Sequence, residues 1–183
     1  VTPATSATAT AASFAPVMLQ WYDCVRDSRL DEWPRVHYYL MGANEWRMAA
    51  DWPVPDSREL VLYFAAEGRL LESAPTQQSA CDAFVYDPCD PTPTVGGSIV
   101  SYLYPAGRVD VSTVQSRSDV LTYTTRPLER DLDVAGPLKV VLHASSSASD
   151  TDFVVRLSDV FPDGRAIQLQ SALLRARYRD PSA

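Results

Sequence analysis

The last third of the chain is written in a period of two. Leu138, Val140, Leu142 and Ala144 alternate with Lys139, Val141, His143 and Ser145, and Phe153, Val155 and Leu157 alternate with Val154, Arg156 and Ser158. Successive side chains of a strand point to opposite faces of a sheet, so this spacing predicts strands. The segment FPDGRA follows as a tight turn, because Pro162 presets its φ and Gly164 tolerates a positive one. From Ala166 to Tyr178 the parity slips: Ile167, Leu169 and Leu173 share one phase, and Leu174, Ala176 and Tyr178 share the other. One extra residue near Ala172, a β-bulge, accounts for the slip.

Upstream the same texture recurs in shorter pieces. Arg35–Met41, Glu59–Phe64 with Arg69–Glu72, Cys81–Tyr86, Ser98–Tyr104 and Val120–Thr124 are rich in β-branched and aromatic residues, and Gly68 marks a hairpin turn. Loops separate them: ANEWRMAADWP, SAPTQQSA and the proline-rich DPCDPTPTVGG. One helix is predicted from Pro16, with Met18, Trp21, Tyr22 and Val25 at helical spacing. About eight or nine strands with dense turns predict an all-β chain. The architecture expected is an antiparallel β-sandwich, jelly-roll and galactose-binding-like, with one short N-terminal helix. Residues 1–15, rich in Ala, Thr and Ser, read as a disordered leader.

Charge narrows the partners. With 16 basic and 23 acidic residues the net charge is -7, which disfavours nucleic acid and anionic membrane surfaces. No apolar run reaches the length of a membrane span. The three cysteines, Cys24, Cys81 and Cys89, are too few and odd in number for a disulfide framework and read as free thiols. Free thiols and the lack of a secretory signal point to the cytoplasm.

Three segments carry a family resemblance. MGANEWRMAADWP, FVYDPCDPTPTVGG and the long SDVLTYTTRPLERDLDVAGPLKVVLHASSSASDTDFVVRLSDVFPDGRAIQLQSALLRARYRD together resemble the C-terminal region of the cocaine-esterase / X-Pro dipeptidyl-peptidase family. The likeness covers about residues 16–180. It implies a C-terminal jelly-roll accessory domain of a serine hydrolase, with residues 16–57 as helix and linker from the end of the hydrolase domain and 58–183 as a truncated jelly roll. The implied partner is an α/β-hydrolase catalytic domain, and the implied substrate of the whole enzyme is a small acyl ester or an X-Pro peptide. No cofactor is implied. The G-x-S-x-G nucleophile elbow that such chemistry needs is missing from this sequence. The relatives' acid and histidine lie upstream of the region matched, and relatives continue beyond RARYRD. The chain is therefore expected to be a truncated member that is inactive alone.

Candidate site residues follow from the same reading. Val100, Ser101 and Tyr102 resemble the element that reaches the acyl pocket, with Ser101 standing where a large apolar residue is expected. Trp21, Trp46 and Trp52 are expected to pack between domains. A Ser145–His143–Asp150 or Asp152 triad is disfavoured, since adjacent strand residues face opposite ways and no oxyanion donors accompany them. The carboxylates Asp87, Asp90, Asp150, Asp152, Asp159 and Asp163 lack calcium-loop spacing and are read as turn and strand-end anchors, not metal ligands. Asp159 is placed to pair with Arg165. The rival readings are a free-standing carbohydrate-binding-like module and a non-functional gene fragment.

Overall fold

A computed structural model describes residues 11–76, 81–98, 103 and 105–180. The chain divides into two compact units, one of residues up to Leu60 with Leu128–Lys139, the other of Val61–Pro127 with Val140 onward.

In the first unit, helix α1 spans Ala11–Arg26. It begins five residues before Pro16, so the proline sits inside the helix, not in its first turn. Its missing N–H costs one backbone bond. The C-terminal end is tied by Asp27 N–H to the Asp23 carbonyl (3.0 Å) and Arg29 N–H to that of Cys24 (2.8 Å). A 3-10 turn, Leu30–Glu32, leads past Pro34 into β1 (Val36–Leu40). β1 pairs antiparallel with β2 (Glu45–Ala49), Tyr39 opposite Trp46 and Leu40 opposite Glu45. From the sequence ANEWRMAADWP reads as a loop, and the structure makes its first half a strand. Trp46 and Met48 do alternate with Arg47, but five residues between alanines and a tryptophan are too short a run to show a period. Arg47 also donates to Asp133 (2.6 Å), which joins the 128–139 segment to this hairpin.

In the second unit, β3 (Tyr63–Ala65) and β4 (Arg69–Leu71) form the hairpin expected around Gly68. Glu67 and Gly68 both take positive φ, and a Cβ on Gly68 would stand 2.8 Å from the Thr122 carbonyl oxygen. The short helix α2 (Ser112–Gln115) is a second helix that one turn of sequence does not reveal. The long strands β5 (Asp152–Val160) and β6 (Ala166–Arg175) pair antiparallel around the PDG turn. Their register shifts so that Leu157 faces Gln170 and Ser158 faces Gln168. The extra residue is therefore Leu169, three positions before the one inferred from parity. Val111 N–H donates to the Ala166 carbonyl and Gln168 N–H to that of Val109, which adds residues 109–111 to the edge of β6. Val111 (0% exposed), Val114 and Ala166 form the small core here.

The described residues thus hold six strands in three two-stranded antiparallel sheets, with no closed barrel. The fold is β-rich and antiparallel. Three predicted strands do not form. Residues 81–86 are irregular, Val120–Thr124 contributes only the bridge of Thr124 to Arg69, and 138–144 joins no ladder. The last is the clearest alternation in the chain, yet Leu138, Val141 and Leu142 are all exposed. An alternating pattern becomes a strand only where a neighbour takes its N–H and C=O groups, and no described residue does so here. No helix among the described residues is long and apolar enough to cross a membrane.

Candidate functional site

The acid residues that a triad would need are already engaged. Asp152 takes a two-pronged contact from Arg175 (2.7 and 2.9 Å), and Asp150 accepts from both the backbone N–H and the Nε of Arg177. These pairs pin the open end of the β5–β6 hairpin and hold both carboxyls below their ordinary range; for Asp152 the Arg175 hydrogen bond is the main cause. Both acids of the candidate triad are thus already paired with arginines. Asp163, not Asp159, pairs with Arg165 (2.8 Å), whose guanidinium also lies over the Phe161 ring at 5.0 Å. The shorter i, i+2 reach across the turn wins over the cross-strand one. Among the described residues no group of His, Cys, Asp or Glu is arranged to hold a metal, and the three cysteines are free.

What the first unit does present is aromatic surface. An open cleft of about 280 Å³ is lined by Val17, Met18, Trp21, Tyr22, Trp33 and His37. It arises because the apolar stripe of α1 meets the β1 face that carries His37. Trp33 stacks on His37 with centroids 5.3 Å apart and planes 16° from parallel. His37 Nε2 is buried without a hydrogen-bond partner, and burial pushes its pKa down, so the ring is neutral at pH 7. Sequence reading missed this stack, for which the Trp-x-x-x-His spacing across Pro34 is the only trace. Trp21 meets Tyr22 edge-on at 5.1 Å and remains 41% exposed. Trp46 meets Tyr39 (5.4 Å) on one face of the β1–β2 hairpin. Trp52 meets Tyr38 (6.2 Å), which belongs to the opposite face. The three tryptophans singled out in the sequence therefore lie in one unit but not on one face.

Val100, Ser101 and Tyr102 lie outside the described residues. Flanking them in sequence, Gly97 and Gly107 form a neck by exchanging both backbone hydrogen bonds, at 2.8 and 2.7 Å. The second unit also holds a polar lock that the sequence does not disclose. Arg117 donates to Asp119 (2.7 Å) and to the carboxylate and carbonyl of Asp90, while Thr92 donates to Asp119 (2.9 Å). The YDPCDPTP loop is thereby fastened to the segment after α2. The Arg117 guanidinium, with Thr92 assisting, holds the Asp119 carboxyl down to about 2.

Residues 28–183 match the model of the X-Pro dipeptidyl-peptidase C-terminal non-catalytic domain. The chain belongs to this family. The chain is 38% identical over 155 residues to the cocaine esterase of Rhodococcus sp., an overlap of 80% of this chain and 27% of that enzyme. It is 32% identical over 162 residues to proteins named as serine esterases in Mycobacterium bovis and Mycobacterium tuberculosis, covering 84% of this chain and 24% of each relative. The chain thus spans about a quarter of the length of these relatives. The match is to a C-terminal non-catalytic domain.

Proposed function

We propose that this chain is the accessory β-sandwich domain of a serine hydrolase and works by docking against an α/β-hydrolase catalytic domain. The observation that carries this reading is the uncovered apolar face of α1: Met18, Leu19 and Tyr22 are each more than half exposed, beside the aromatic cleft. A soluble chain gains about 1.5–3 kcal/mol for each such side chain it covers, and contiguous exposed apolar patches mark interaction sites. Residues 16–57 then act as the joint with the catalytic domain, through Trp21, Trp46 and Trp52, and the remainder acts as part of a jelly roll. Val100, Ser101 and Tyr102 contribute to the acyl-pocket wall of the whole enzyme, whose substrates are small acyl esters or X-Pro peptides. Free thiols suit a cytoplasmic setting. A flat aromatic platform for sugars is not favoured, since the tryptophans divide between two faces of a hairpin.

The test is reconstitution. The chain alone is expected to give no turnover of nitrophenyl esters or X-Pro anilides. Mixed with the catalytic domain of its parent hydrolase it is expected to form a 1:1 complex by ultracentrifugation, and Trp21→Asp is expected to weaken that complex at least tenfold. Turnover by the chain alone that disappears in His143→Ala, or a failure to bind the catalytic domain at all, overturns the reading.

A further inference from the structure

One face of the β5–β6 hairpin carries two buried polar groups with nothing to bond. Arg156 sits in the middle of β5 opposite Ser171, and the Nε of its guanidinium is buried without a partner. On the next rungs Ser158 faces Gln168, which is 3% exposed, and the Gln168 Oε1 also lacks a partner. Gln168 Nε2 stands 3.4 Å from the Oγ of Ser171, the residue opposite Arg156 in the register. The backbone of Gly97 roofs the amide: a Cβ there would lie 2.9 Å from Gln168 Nε2 and 3.6 Å from Ser171 Oγ.

The neighbouring arginines make Arg156 stand out. Arg175 and Arg177 on the same hairpin are tied to Asp152 and Asp150. In a chain with 23 acidic and 16 basic residues, Arg156 is partly buried and has no acid of its own among the described residues. Leaving a partly desolvated cation unpaired is costly, and the natural remedy is a carboxylate, which a guanidinium takes side-on through Nε and one Nη. The Gln168 amide completes the match. Turned by half a rotation, it accepts from the Ser171 hydroxyl and presents a free N–H.

We infer that Arg156, Ser171 and Gln168 form a carboxylate-binding seat under the Gly97 neck. The carboxylate comes either from a small acid in solution or from an Asp or Glu side chain of the docked catalytic domain. The chemistry is the same, and the experiment separates the sources.

The probe is acetate, titrated against chloride at constant ionic strength into the ¹⁵N-arginine-labelled chain. The Nε–Hε resonance of Arg156 is identified by its loss in Arg156→Lys. A saturable shift of that resonance alone is expected, with the apparent affinity falling at least tenfold in Gln168→Leu. Should that variant lose its fold, Ser171→Ala at an exposed position carries the comparison, with a smaller loss of affinity expected. If acetate is silent but the catalytic domain shifts the same resonance, the seat takes a partner side chain. No saturable shift in either arm, or an equal response to chloride or at exposed arginines such as Arg58, overturns the seat. The acetate arm does not depend on the docking proposed above, so the two readings fail separately.

Discussion

Tyr123 and Asp119 show how far single side chains in the second unit are tuned by their surroundings. The Tyr123 hydroxyl donates to Asp82 at 2.6 Å, and its ring meets Phe64 edge-on at 4.7 Å. Burial first, then the hydrogen bond to Asp82 and lastly the Asp82 charge, push its pKa up to about 12. A raised pKa contributes stability that is full below the unfolded value of about 10 and is lost as pH climbs from there through 12. In tyrosinate absorbance, one phase near pH 12 is expected to disappear in Tyr123→Phe, and the urea midpoint of that variant should fall less between pH 10 and 12. Asp119 has the opposite sign. Held down to about 2 by Arg117, it contributes stability that is full above about pH 4 and lost as pH drops through 2. Asp119→Asn is expected to flatten the dependence of the urea midpoint on pH between 4 and 2. An unchanged slope means that the Arg117 lock carries none of it.

At the scale of elements, glycine geometry decides which turns are rigid. Gly96 has φ +71°, and a Cβ there would come within 2.3 Å of Val109 Cγ2 and 2.9 Å of the Gly107 carbonyl. Gly164 has φ +89° with open space around it. Both alanine variants carry the left-handed backbone penalty of about 1–2 kcal/mol, but only Gly96→Ala adds overpacking of about 1–3 kcal/mol. Urea unfolding is expected to rank Gly96→Ala as the more damaging by at least about 1 kcal/mol. Equal costs mean that Gly96 is not tightly packed against the Gly97–Gly107 neck. Gly68 and Gly164 were legible in the sequence, because hairpin turns announce themselves through Gly between alternating runs. The Gly97–Gly107 neck was not, since two residues that exchange hydrogen bonds across a loop leave no periodic trace. The bulge was legible in kind, as a parity slip, but its place was not: Ser171 and Ala172 continue the β6 alternation, and the unpaired residue is Leu169.

At the scale of the molecule, periodicity was read correctly as β and antiparallel, and the family was legible from three motifs. Neither says which runs find a neighbour. Residues 138–144 hold the strongest pattern and no ladder, whereas Glu45–Ala49 holds a weak pattern and pairs in full with β1. Pairing depends on what lies alongside, and that is a property of the assembled protein. The same argument fixes an expectation for the whole chain. With buried apolar side chains among the described residues confined to Leu40, Val111, Val114 and Ala166, each unit has little core of its own. Val111→Ala, at the best-packed position, is then expected to cost about 2 kcal/mol from lost burial and residual cavity. The free chain is expected to bind the dye ANS and to fluoresce with the red-shifted tryptophan emission of water-exposed indoles. Adding the catalytic domain should displace dye and shift emission to the blue, and Trp52→Phe should leave most of the dye effect in place, because Met18, Leu19 and Tyr22 supply that surface. If the free chain binds no ANS and keeps blue emission, its apolar faces are covered without a partner. The uncovered face of α1 then loses its meaning as a docking surface.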